Sequence, residues 1–160
     1  MATFASLERV AAWYKNERKR PEGRPSEQET VCYLIMPLLF SLGWSQQTAA
    51  VQWNYVDVAL FRGMPSTDAT LALVVEAKLL GRSVFSHLGQ ARDYALQQGR
   101  DGCKRLIVTD GIRYALHRRS GSSFHLEAYL NILNMRDAYP VFGCGGAVQA
   151  VLGMARDSYD

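Results

Sequence analysis

Apolar residues recur at helical spacing over residues 5–19, where Leu7, Val10, Ala11 and Tyr14 share one face. The run KNERKRPEGR then places Pro21, Gly23 and Pro25 close together, which predicts a loop. Ser26 followed by Glu29 matches an S-x-x-E capping box, so a second helix is expected to start there. It would turn Val31, Leu34, Ile35, Leu38 and Leu39 inward, stop near Gly43, and kink at Pro37, which brings no backbone donor. The pattern then changes period. VQW (51–53), YVDVALF (55–61) and LALVVEA (71–77) read as strands, with GMPSTDAT (63–70) as a turn-forming loop between the last two. Helical period returns over 84–99, with Val84, Leu88, Ala91 and Ala95 as the apolar stripe. RLIVTD (105–110) and IRYALHR (112–118) read as strands joined at Gly111. FHLEAYL (124–130) fits a last strand or a helix start equally, and AVQAVLGMARD (147–157) predicts a closing helix. The order ααβββαββ(β)α suggests an α/β (α+β) fold, a central mixed β-sheet flanked by helices.

At 160 residues the chain fits one domain with a substantial core. With 48% hydrophobic and 21% charged residues, neither a disordered nor a membrane-embedded composition applies. The net charge of +3 permits an anionic partner without demanding one. No apolar run approaches the roughly 18 residues that span a bilayer, and the start MATFASLERV lacks a leader pattern. Cys32, Cys103 and Cys144 are widely spaced and odd in number, which suits a reducing compartment better than a disulfide framework or a zinc site. The expectation is a soluble cytoplasmic protein with no membrane partner.

Charged residues inside the apolar runs carry the chemistry. Asp57 interrupts VDVALF, and Glu76 and Lys78 interrupt LALVVEAK. Buried charges are costly unless they pair or hold a metal. In a strand, side chains two apart share a face, so Glu76 and Lys78 point one way while Val75 and Ala77 point the other. If the two strands pair as a hairpin, Asp57 approaches Glu76, and the carboxylates repel unless a proton or a cation intervenes. Mg²⁺ (with Mn²⁺ as a substitute) suits such oxygen ligands, and the Ala77 carbonyl could add another. Lys78 could then orient the attacking water and stabilise charge on a phosphate. The plainer alternative is a salt bridge at a strand end.

Other candidates have plainer alternatives too. Glu29 has the capping box to serve, which leaves Glu27 as the metal or water ligand; equally, an acid in a first turn complements the helix dipole. Gln90 and Tyr94 lie four apart on one helical face, joined by His87. Gln90 could fix a water or phosphate there, although polar residues often merely flank a core stripe. Basic residues gather at Lys15, Arg18, Lys19, Arg20 and Arg24, and again at Arg113, Arg118 and Arg119, as phosphate contacts would require and as solvated faces also show. FGCGG (142–146) has the wrong spacing for a dinucleotide loop; no phosphate-binding G-x-x-x-x-G-K-[ST] loop and no G-x-S-x-G elbow occur.

Together these motifs resemble the PD-(D/E)XK nuclease superfamily, and more narrowly the N-terminal nuclease domain of type I restriction enzyme R subunits. SEQETVCYLIMPLLFSLGW (26–44) is similar to the family's glutamate-bearing helix with its Leu-Gly-Trp end, which assigns that glutamate to Glu27. VDVALF supplies Asp57, VVEAK supplies Glu76 and Lys78, GQARDYA supplies Gln90 and Tyr94, and IVTDGIRYAL resembles the following strand pair. The motif core covers 26–118 of a single nuclease domain spanning 1–160, with a C-terminal helical extension over about 130–160. The resemblance implies a restriction-endonuclease-like core and Mg²⁺-dependent hydrolysis of DNA in restriction, phage defence or repair. It gives Asp57 and Glu76 the metal, with help from Glu27 and the Ala77 carbonyl, gives Lys78 the nucleophilic water, and has Gln90 position that water. Tyr94, Arg20, Arg24 and Arg113 would face DNA. Val56 stands where the superfamily has its proline, and these 160 residues hold no helicase motor, so sequence-specific restriction is not part of the expectation. Two other readings stay open: a non-catalytic nucleic-acid-binding module, and an assembly or homodimer module docking through VFGCGGAVQAVLGM (141–154).

Overall fold

The computed structural model describes residues 2–16, 25–86 and 88–160. Helix α1 spans Ala2–Asn16. A second helical rod begins as α2 (Glu27–Thr30), passes through a π-helical turn (Val31–Ile35) and continues as α3 (Met36–Ser41). Its start is the expected capping box. The Glu29 N–H donates to Ser26 Oγ at 3.2 Å, and the Ser26 N–H donates to Glu29 Oε2 at 2.9 Å. The predicted kink takes the form of the π turn. Just before Pro37, the Met36 N–H reaches back five residues to the Val31 carbonyl, so the ladder widens where proline cannot donate.

Strands β1 (Ala49–Trp53), β2 (Val56–Phe61) and β3 (Leu71–Ala77) follow as an antiparallel meander. Helix α4 (Gly89–Ala95) crosses to β4 (Arg105–Thr109), which pairs parallel to β3. Strands β5 (Arg113–Ser120) and β6 (Ser123–Asn131) extend the sheet antiparallel. The short strands β7 (Ala138–Tyr139) and β8 (Cys144–Gly145) complete it, followed by helix α5 (Ala147–Met154). The result is an eight-stranded mixed sheet in the order β1-β2-β3-β4-β5-β6-β8-β7. FHLEAYL therefore resolves to a strand, because β5 offers it a full ladder partner.

Alternation divides the sheet's side chains between two layers. Val58, Leu60, Leu73, Val75 and Ile107 join Leu7, Ala11, Leu34, Leu38, Leu39 and Met154 under α1, α3 and α5. Ala59, Phe61, Val74, Leu106 and Val108 join Ala91, Tyr94 and Ala95 under α4. Each helix buries one stripe against a sheet face, and this burial holds the layers together.

Two sequence expectations need correction. The helix expected over 84–99 exists only as Gly89–Ala95. Gly89 takes φ +51°, outside the right-handed region, and Gly99 at φ +88° closes the turn after it, so helical geometry cannot run further either way. Val84 is still buried, but from a bend rather than a helix. The C-terminal extension expected to be helical over about 130–160 is helical only at Ala147–Met154 and in a last 3₁₀ turn, Arg156–Tyr159. Its first half adds β7 and β8 to the sheet, with Pro140 and the left-handed Gly143 breaking helical continuity between them. Among the described residues, no helix is long and apolar enough to cross a membrane.

Candidate active site

Asp57 lies second in β2 and Glu76 second from the end of β3. The β2–β3 ladder pairs Val58 with Val75, so one step further the register sets Asp57 opposite Glu76. Val58, Val75 and Ala77 all enter the layer under α1 and α3. By alternation, Asp57, Glu76 and Lys78 emerge on the other face, the one that carries α4. The chain keeps strand geometry through this point, since the Lys78 N–H donates to the Thr109 carbonyl at 2.7 Å.

The contacts within the group are short. Asp57 Oδ2 accepts the Ala77 N–H at 2.7 Å, and Lys78 Nζ donates to Glu76 Oε1 at 2.7 Å. The salt bridge weighed from sequence is therefore present, with side chains still 24% and 16% exposed. Burial raises the Asp57 carboxyl above its ordinary value, against the pull of the Ala77 N–H and the Lys78 charge. Burial likewise raises Glu76; Lys78 opposes it, while the charges of Asp57 and Glu27 push the same way as burial. Burial is thus the main force against ionising the pair, and the lysine offsets only part of it.

Glu27 opens α2 half-buried, and its charge is felt at Glu76, which places the helix start over the same end of the sheet. A glycine permits this approach. Gly111, at φ +86° between β4 and β5, packs so tightly that a Cβ there would meet Thr30 Cγ2 at 2.7 Å and Leu34 Cδ1 at 2.8 Å. At the sheet's edge, Gln52 stands across β1 from Asp57 in a left-handed conformation (φ 52°), interrupting the ladder beside the acid.

The remaining candidates separate. Gln90 is exposed in the first turn of α4, one turn before Tyr94. Tyr94, expected to face DNA, is buried. It is 3% exposed, its hydroxyl accepts from Trp53 Nε1 at 2.8 Å and Asn54 Nδ2 at 3.3 Å, and the Arg100 guanidinium covers its ring. The apolar stripe of α4 carries it inward with Ala91 and Ala95. Arg113 is likewise engaged: it grips Asp110 Oδ2 through Nε at 3.0 Å and Nη2 at 2.8 Å, and Nη2 also donates to the Arg82 carbonyl. Arg20, Arg24 and His87 lie outside the described residues.

The acid that sequence reasoning missed is Asp110. It is 1% exposed and accepts from the N–H groups of Gly81, Ile112 and Arg113 as well as the Arg113 side chain. An Asp-Gly pair closing a strand was the available signal, because aspartate in a turn readily takes nearby backbone donors. Among the described residues, no group of three or more His, Cys, Asp and Glu side chains is gathered to hold a metal by itself. An ion at this site would rest on Asp57, Glu76, backbone oxygen and water, a ligand set that Mg²⁺ accepts. No protein-family model, curated protein or solved structure matches the chain.

Proposed function

We propose that this chain is a metal-dependent deoxyribonuclease built on a restriction-endonuclease-like core and acting in restriction, phage defence or repair. One observation carries the reading: Asp57 and Glu76 face each other at a strand end with raised carboxyl values, and Lys78 stands beside them. The pair fits a hard cation, since a divalent charge would offset the burial that now opposes their ionisation. Asp57 and Glu76 would hold Mg²⁺, with the Ala77 carbonyl and Glu27 as further ligands, directly or through water. When bound, the ion supplies Lewis-acid stabilisation of charge on the phosphate.

The chain's own residues do the rest. On substrate entry, Lys78 exchanges its contact with Glu76 for the attacking water and the phosphate oxygens, where its ammonium meets the developing negative charge. Gln90 positions that water. The water oxygen forms a bond to phosphorus, the bond to the leaving sugar oxygen breaks, and a proton from the water passes to that leaving group or to solvent. The decisive experiment is cleavage of single-stranded, duplex and flap DNA with Mg²⁺, Mn²⁺ or EDTA, run beside Lys78→Ala. Metal-dependent products lost in the variant support the proposal, and no cleavage of any substrate by the wild type overturns it.

A second reading is a non-catalytic nucleic-acid-binding module. The closed Glu76–Lys78 ion pair favours it, as a purely structural bridge would look the same. Salt-sensitive DNA binding without metal-dependent cutting is its signature.

A further inference from the structure

A row of paired residues runs across the sheet from the carboxylates to a cluster of rings. Glu76 pairs with Val108, Val108 with Ala115, and Ala115 with Tyr129. Val108, Ala115 and Tyr129 all belong to the layer under α4, the face on which Asp57 and Glu76 emerge. Three strand spacings separate Glu76 from Tyr129, about 15 Å.

Tyr129 is the buried floor of the cluster, at 5% exposure. Phe85 stacks on it with centroids 5.2 Å apart and planes at 29°, and Phe142 lies 4.5 Å from Phe85. Tyr139 meets Tyr129 edge-on at 4.7 Å. Phe85 and Phe142 keep 39% and 42% of their surface in solvent. One exposed cation lies beside the rings, Arg136 next to Tyr139, while Arg113 near Tyr129 is already paired with Asp110. Phe85 also sits in the segment between Lys78 and Gln90, which Gly81 and the Arg82 carbonyl tie to the Asp110–Arg113 turn.

We infer that Phe85 and Phe142 form a stacking wall for the unpaired bases of single-stranded DNA, whose backbone runs along the sheet face to the carboxylates. Partly exposed rings beside the exposed Arg136 suit a chain of bases joined by phosphates, and duplex bases have no free face to offer. The separation of about 15 Å corresponds to roughly four stacked nucleotides. The direction of the backbone rests on the nuclease reading, whereas the stacking does not.

The test is binding in EDTA, by fluorescence anisotropy, of oligo-dT and of an abasic strand of equal length and charge. Wild-type protein is expected to prefer oligo-dT by about tenfold or more. Phe85→Leu with Phe142→Leu, which keeps apolar bulk and removes the π faces, is expected to erase that preference and leave duplex affinity unchanged. Equal affinity of the wild type for both strands overturns the wall, and needs no variant. Undiminished preference in the double variant overturns it as well. Metal-dependent cleavage in the proposed assay with either of these results defeats the wall alone. Base-dependent binding without cleavage sustains the wall and defeats the nuclease reading.

Discussion

Asp57 and Asp110 sit at the same end of one sheet, and their surroundings differ in kind. Asp110 is sealed, with the N–H groups of Gly81, Ile112 and Arg113 and the Arg113 guanidinium filling its lone pairs. Asp57 has one backbone donor, a facing glutamate and a lysine already engaged by that glutamate. A carboxylate whose demands are met holds a turn in place. One left wanting positive charge is a place where a cation or a proton gains free energy by arriving. Asp57 lies inside its strand and Asp110 just past the end of one, but the sharper distinction lies in their partners.

That contrast can be broken by exchanging the two outcomes. The largest effect falls on activity: Lys78→Ala and Asp57→Asn are expected to lower DNA cleavage at least a hundredfold, measured as initial rates in Mg²⁺. Asp57→Asn should not lower the thermal midpoint in EDTA, since it removes charge without opening the core, whereas Lys78→Ala also strands Glu76. Asp110→Ala is expected to do the opposite, removing about 3 kcal/mol or more of stability in urea unfolding by stranding Arg113 and the turn's N–H groups. If Asp57→Asn proved the destabilising change, the assignment of roles would be reversed.

Metal binding sharpens the same comparison. Mg²⁺ at a hundred times its dissociation constant is expected to stabilise the wild type by about 2.7 kcal/mol, and Asp57→Asn should abolish that gain while Asp110 variants that still fold retain it. The smallest effect is on pH dependence. Asp57 and Glu76 have values raised above the ordinary 3.8 and 4.5, so over that interval the folded chain keeps protons the unfolded chain has released. Their contribution to stability is therefore full at acid pH and falls as pH rises through the raised values. Urea unfolding in EDTA across that range should show the fall, and Asp57→Asn should flatten it.

Local features were legible in the sequence. The Ser26–Glu29 box lies within one turn of chain, and the alternation around Asp57, Glu76 and Lys78 follows from strand geometry. Features that depend on distant partners were not. Tyr94 looked like a surface companion of Gln90, but its hydroxyl belongs with Trp53 and Asn54, some forty residues earlier. Arg113 is a different case, because its partner Asp110 lies only three residues earlier and the Asp-Gly turn signals it locally. Strands as short as β7 and β8 have too few residues for a period to register; β6 gives β8 its conformation and β8 gives β7 its own.

The π turn at Val31–Ile35 has a consequence for how the rod can vary over time. Such a turn accommodates one residue more than an α-helix of the same rise, so it acts as a phase shifter between two halves of one rod. The downstream half is locked by Leu38 and Leu39 in the core, while the upstream half aims Glu27 at the sheet edge. Losing one residue there would restore an unbroken helix and swing Glu27 by about 100° around the axis. Only the exposed Cys32 and Tyr33 can change freely within the segment, since Val31, Leu34 and Ile35 are core residues; its length is fixed as firmly as they are.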